Sequence, residues 1–172
     1  MAISLYDVSV TSFLQVLGGV AGYLDKGAQH CRQNGIDLNE IVETRLHPDM
    51  LPFRFQIVAV AHHSLGAIKG VQAGVFTPPG ASTADYAGLQ ELVADARSEL
   101  EKLGRDAVEA LEGRDVVFQL GERKLPFTAE GFLMSFSLPN LHFHATTAYD
   151  ILRTKGVPLG KRDYMGQPRM KS

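Results

Sequence analysis

Leu138-Pro139-Asn140-Leu141-His142-Phe143-His144-Ala145-Thr146-Thr147-Ala148-Tyr149-Asp150-Ile151-Leu152-Arg153 is the stretch on which the fold turns. Advancing about 100° per residue puts Leu141, His144, Ala148, Ile151 and Leu152 on one side, so it reads as an amphipathic helix with His144 facing inward. His142 falls near the opposite face. Thr128 is a candidate N-cap upstream, which extends the helix from Ala129 to Lys155, bent or restarted near Pro139-Asn140 and ended by Gly156-Val157-Pro158. The tail beyond Pro158 reads as a polar terminus, with Pro158 to Tyr164 free to fold back on the bundle.

Before this helix, Val116 to Leu120 and Lys124 to Phe127 flank the polar Gly121-Glu122-Arg123 and resemble a small hairpin. Ser82 with Asp85 forms a candidate capping box for a helix whose apolar face is Leu89, Leu92, Val93, Ala96, Leu100 and Leu103. Thr77-Pro78-Pro79-Gly80 separates it from a helix expected from about Pro52 to Ala73, apolar on nearly all sides and therefore buried between helices or in a subunit interface. A first long helix is expected from Leu5 to Cys31, capped by Ser4 and stopped at Asn34-Gly35. Its Gly18 and Gly22, one turn apart, predict close packing there. A short turn from Leu38 to Arg45 and a connector through Pro52 link the first two helices. Four long segments with short connections predict an all-α, four-helix bundle with a small β-hairpin before the last helix, one domain over residues 1–172.

With 172 residues, 45% hydrophobic and 21% charged, the chain can bury a sizeable core, which excludes disordered and fibrous classes. Seventeen basic against nineteen acidic residues leave no field of one sign for nucleic acid. The start from Met1 to Asp7 lacks a basic signal-peptide region, and no apolar run approaches the roughly 20 residues of a membrane span. A cytoplasmic setting is expected. Cys31 is the single cysteine, without a partner for a disulfide; near a helix C-terminus it lacks what lowers a thiol pKa and reads as a packed, inert side chain.

Phosphate-loop, dinucleotide and nucleophile-elbow patterns are absent. The histidines remain. His62 falls among Phe55, Val58, Ala59 and Leu65 and is the inward candidate on the second helix, whereas His63 is turned toward Gln56. His62 and His144 are thus candidate metal ligands or acid–base groups, with His142 and His47 as further candidates. Zinc, nickel or iron needs three or four protein ligands, and the inward count is two. The alternative is buried, hydrogen-bonded histidines with a structural role. His47 and Asp49 could add a ligand at the helix entrance, or be a surface residue and an N-cap.

The block from Leu138 to Arg153, followed by Gly156-Val157-Pro158-Leu159-Gly160-Lys161-Arg162-Asp163-Tyr164, resembles the C-terminal signature of an uncharacterised branch of the DinB/YfiT-like helical bundles, known as a domain of unknown function. Leu5 to Val10, Leu24-Asp25-Lys26 and Arg45 to Pro52 look like its other motifs, in the same order. The resemblance covers nearly the whole chain. It implies a four-helix bundle, often dimeric, in a superfamily whose better-known members bind a divalent metal through three histidines, one from the second helix and an H-x-x-x-H pair from the fourth. Some of those relatives transfer thiols or act as hydrolases or isomerases. His144 matches the Phe-His element, but Ala148 and Asn140 stand four residues to either side, so the H-x-x-x-H pair is missing. His62 lies near the second-helix ligand region.

The expected protein is a homodimer through the second helix and a neighbour. Its expected function is that of a metal-dependent enzyme, intact or degenerate, with a site between the second and fourth helices and Tyr149 and Asp150 as supporting partners. The rival expectation is a non-catalytic bundle that binds a small apolar ligand or a protein partner. A pocket with convergent polar groups would favour the first, and a packed core around His144 the second.

Overall fold

Ser4 caps α1 (Leu5–Val8) as the sequence suggests, its hydroxyl accepting from the Asp7 N–H. The computed structural model describes residues 3–171; Met1, Ala2 and Ser172 lie outside the described residues. The single helix expected at the start is two: the backbone kinks at Ser9 (φ −105°, ψ −83°) before α2 (Val10–Asn34). Ser9 Oγ donates to the Leu5 carbonyl at 2.6 Å, beside the Ser9 N–H, which the same carbonyl accepts at 3.0 Å. Gly35 ends α2 at φ 65°, a left-handed conformation that a Cβ would disfavour. α3 (Leu38–Glu43) is capped by Asp37.

The second long helix is a rod over 53–73, built from α4 (Phe53–Ala61), a π-helical turn at His62–Gly66 and α5 (Ala67–Ala73). Its extent matches the expectation, but the π-turn has no signature in the hydrophobic period. β1 (Val75–Phe76) follows, too short to show strand alternation. α6 (Tyr86–Glu101) is capped by Asp85, which accepts from Gly88 N–H at 2.8 Å, and not by Ser82, whose hydroxyl accepts from Ala84 N–H within the preceding loop. α7 (Arg105–Glu109), also absent from the sequence reading, leads to β2 (Asp115–Leu120) and β3 (Arg123–Thr128). The expected hairpin is present, with Val117 opposite Pro126, and β1 joins it in parallel to give the order β1-β2-β3.

Thr128 caps α8 (Ala129–Phe132) by accepting from Gly131 N–H. A second π-turn, Leu133–Ser137, carries the chain into α9 (Leu138–Thr154) without a restart. The π-turn accommodates Pro139, which has no N–H to give, and Asn140 Nδ2 donates to the Phe136 carbonyl at 2.7 Å. The tail folds back as α10 (Lys161–Met165) against α2.

α2, α4, α6 and α9 form the bundle, α4 packing on α9 and α6 and α2 packing on α6 and α9. Phe13, Leu17, Phe53, Ile57, Leu89 and Leu152 belong to one buried cluster, each side chain contributing about 1.5–3 kcal/mol by leaving water. Two phenols enter this core with their hydroxyls paired: Tyr23 donates to Ala145 O at 3.0 Å and Tyr86 to Leu24 O at 2.8 Å. The close approach on α2 is one residue away from the expected stripe. A Cβ at Gly18 or Gly22 meets nothing within 4 Å, whereas one at Gly19 would lie 2.3 Å from the Tyr164 carbonyl oxygen. Gly18 sits about 100° round the helix from Gly19, and Gly22 lies about 60° round and nearly one turn further along, so neither meets the α10 backbone. Among the described residues no helix is long and apolar enough to cross a membrane.

Candidate functional site

The two π-turns lie on the two helices that pack face to face, and each contributes one polar side chain to their contact. A π-turn inserts one residue, widens the helix and frees carbonyls from their usual donors. In the first turn Ser64, fully buried, donates its hydroxyl to the Val60 and Ala61 carbonyls at 2.8 and 3.1 Å. His63 projects from the same turn toward α9, 7% exposed, with Nδ1 at 3.2 Å from Oγ of the buried Ser137 that ends the second turn.

Two turns earlier, on α4, Gln56 is 2% exposed. Its Nε2 donates to the Leu51 carbonyl at 2.8 Å, which turns its Oε1 toward His144 Nδ1 at 2.7 Å. An amide oxygen only accepts, so the proton sits on His144 Nδ1 and its Nε2 keeps a lone pair. The His63 and His144 rings stack at 5.9 Å between centroids, inside an aromatic surround of Phe55, Phe76, Phe136 and Phe143. Burial pulls the His144 pKa from 6.5 down to about 4. Burial, reinforced by the neighbouring His62 and His144, pulls His63 down to about 3. Both rings are neutral at pH 7.

His144 is therefore inward, as expected, but its partner from the second helix is His63 rather than His62. His62 turns to the other side of α4, where its Nε2–H donates to the Thr77 carbonyl at 2.7 Å and its ring stacks on Phe76 at 4.3 Å. The sequence pattern puts the face carrying Gln56 outward because Gln56 is polar; it is the buried face, and the glutamine is there to hold His144. His142 is exposed and bonds Tyr164 Oη at 2.9 Å. His47 pairs with Asp49 on an exposed loop, remote in role from the buried pair. Tyr149 packs edge-on against Tyr23 and Tyr164 rather than beside His144. Gln56 and Ser137 are not among the sequence candidates; a lone amide in a run from Phe53 to Ala61 that is apolar apart from it and Arg54 is the signal that marks the first.

Metal binding of the three-histidine kind is not what these donors fit. Among the described residues no group of three or more His, Cys, Asp or Glu side chains is placed to hold an ion. His63 and His144 bring two imidazoles, and the polar atoms next to them are an amide and a hydroxyl already engaged with the protein.

The open space lies on the other side of α4. Two adjoining hollows, of about 230 and 270 Å³, share Val58 and Pro79 as lining. Leu51 and Phe55 continue the first, and Leu65 and Leu92 the second. Together they make an apolar groove between α4, α6 and the loop 77–85. That loop is held at both ends by side chains of the 53–73 rod: His62 on the Thr77 carbonyl and Arg54 Nε on the Ala84 carbonyl at 2.8 Å. Burial lowers the His62 pKa as well, so the ring lining this groove is uncharged at pH 7.

No curated protein matches the chain. A solved protein from Shewanella denitrificans, described as a DinB family member, is similar in fold: TM-score 0.78 and 25% identity over 98% of this chain and 95% of its own. A family model described as a domain of unknown function (DUF1993) matches residues 5–165. The chain belongs to that family, and its architecture is DinB-like.

Proposed function

We propose that this protein is a small-molecule-binding bundle, and that an apolar ligand occupies the groove between α4, α6 and the 77–85 loop. One observation carries this reading: of the two sides of α4, the groove side holds an open, apolar-lined space, while the histidine pair on the opposite side is packed among aromatic rings with its Nδ1 atoms engaged. The test is titration with the uncharged dye N-phenyl-1-naphthylamine. Saturable fluorescence enhancement is expected, and Val58→Trp, which fills the span shared by both hollows, is expected to abolish it without lowering the melting temperature. Enhancement that never saturates, or that Val58→Trp leaves intact, overturns the proposal.

A second reading, a metal-dependent enzyme between α4 and α9, draws support from the Nε2 atoms of His63 and His144, for which no hydrogen-bond partner is present among the described residues. Elemental analysis of tag-free protein decides it, together with melting in zinc, nickel and manganese. A stoichiometric ion, or a melting shift abolished by His144→Ala, establishes a site there. No ion and no shift removes it.

We also propose a cytoplasmic homodimer, in contact through the strip where Phe143, 57% exposed, and Phe55 both pack against the His144 ring. Light scattering is expected to give twice the chain mass, and a monomer removes the proposal.

A further inference from the structure

His62 presents the groove with one hydrogen-bonding atom that the fold fixes and leaves unspent. The ring lines the second hollow, and its Nε2 lies 2.7 Å from the Thr77 carbonyl oxygen. A carbonyl only accepts, so Nε2 carries the proton and the neutral ring keeps an in-plane lone pair on Nδ1. Phe76 stacks on the ring face at 4.3 Å and, with the Thr77 bond, holds its orientation. Among the described residues no hydrogen bond reaches Nδ1. Gly66, which lines the same hollow, shows where that lone pair opens. A Cβ at residue 66 would lie 3.0 Å from Nδ1, with the flanking ring carbons Cγ and Cε1 at 3.6 and 3.7 Å. The nearly equal longer distances put that position on the outward line of the Nδ1 corner, where the lone pair points. Glycine leaves the acceptor uncovered.

The other polar groups along the groove are of a different kind. Arg54, at the far end, is committed through Nη2 to Glu43 and through Nε to the Ala84 carbonyl. Lys69 and Asp95 line the second hollow with exposed side chains of opposite sign, so a ligand charge of either sign finds a partner there and charge is not what the groove sorts. A fixed acceptor sorts by donor instead. A hydroxyl or N–H seated over Gly66 donates to Nδ1, whereas an ether or carbonyl oxygen in the same place meets it lone pair to lone pair. From Gly66 the apolar lining runs back about 10 Å along the rod to Val58 and on to Phe55 in the first hollow. We infer that His62 Nδ1 is the recognition atom of the groove, and that the ligand is an apolar molecule with a hydroxyl or N–H donor at the end seated over Gly66 and its hydrocarbon body lying toward Phe55. This inference rests on the groove being a binding site.

The experiment is displacement of N-phenyl-1-naphthylamine from the intact protein by two probes with the same body, 4-hexylphenol, which has a donor, and 4-hexylanisole, in which a methyl group replaces it. Both are titrated against wild type and Gly66→Ala, which sets a methyl group over Nδ1 and keeps the His62 ring. The potency of the phenol relative to the anisole is expected to fall about threefold to tenfold in the variant, the worth of one net hydrogen bond. The His62 Nδ1 nitrogen resonance of the wild type supplies a readout that needs no variant: it is expected to move upfield on saturation with 4-hexylphenol and to stay in place with 4-hexylanisole. An unmoved resonance under saturating phenol, or a potency ratio unchanged in a folded Gly66→Ala protein, overturns the inference and leaves the groove itself standing. Should Gly66→Ala fail to fold, the wild-type resonance decides alone. Failure of the dye to bind wild type is the different result, and it removes the groove reading.

Discussion

Lowering the pH from 7 to 5 tests whether His63 is held neutral in the contact between α4 and α9. In the folded protein its pKa lies at about 3, against 6.5 for an unperturbed imidazole, chiefly because burial penalises the cation. Between those two values the unfolded chain binds a proton that the folded chain refuses. The contribution to stability is therefore fully present above 6.5 and is lost as the pH falls. At pH 5 the loss from His63 alone is about 2 kcal/mol relative to pH 7, from 1.36 kcal/mol per unit over the part of the window crossed. For a chain of this size that is a drop in melting temperature of about 4–8 °C.

His144, half-buried, and His62 add the same sign with smaller weight because solvent screens them. Asp7, its pKa lowered to about 2 chiefly by the Arg105 hydrogen bond, together with Glu99, Glu130 and Asp163, loses stabilising charge only at lower pH. The window from 7 to 5 therefore isolates the histidines. The assay is thermal melting of wild type and His63→Gln at both pH values. The substituted amide keeps a polar atom toward Ser137 and does not titrate, so the fall from pH 7 to 5 is expected to be smaller in the variant by about 4–8 °C. Equal falls in the two proteins would refute the reasoning, whatever the absolute stability of the variant.

The remaining predictions concern single contacts. Gly19→Ala places a Cβ 2.3 Å from the Tyr164 carbonyl and is expected to detach α10, lowering the melting temperature and raising amide exchange over residues 161–166. Gly18→Ala, in open space on the same helix, is expected to stabilise by about 0.5–1 kcal/mol in urea denaturation, since helical alanine costs less backbone entropy than glycine. Gln56→Leu removes the acceptor that fixes His144; nitrogen chemical shifts are expected to show the loss of a single Nδ1–H tautomer, and denaturation a cost of about 1–3 kcal/mol for the unpaired donor.

Much of the bundle is legible in the sequence because its signals are local. Thr128 as a cap, Gly35 and Gly156 as stops and the helix from Leu138 onward depend on residues within one or two turns of each other, and the structure places each as read. What the sequence hides depends on partners far along the chain. β1 is two residues long and exists because Val75 and Phe76 find Val117 and Phe118. Gly19, not Gly18 or Gly22, is the required glycine because α10, more than 140 positions later, lays its backbone there. Nothing in the spacing of small residues on α2 carries that information.

The candidate site is half legible for a related reason. His144 reads as inward, and is inward, because α9 is regular around it, with apolar neighbours that mark the inner face unambiguously. On α4 the apolar residues surround the helix, so the only asymmetry available comes from Arg54 and Gln56, and polar residues read as outward. The structure inverts that rule at one position. A neutral imidazole buried on α9 needs an acceptor for its N–H, and an apolar helix opposite can supply one only by burying a polar side chain of its own. Gln56 is that side chain, and once it points inward His63, seven residues on, comes to the same face and His62 to the other. The buried amide and the neutral histidine therefore require each other. Removing either leaves the other unpaired, so the double variant Gln56→Leu with His144→Leu is expected to be less destabilised than the two single costs added together.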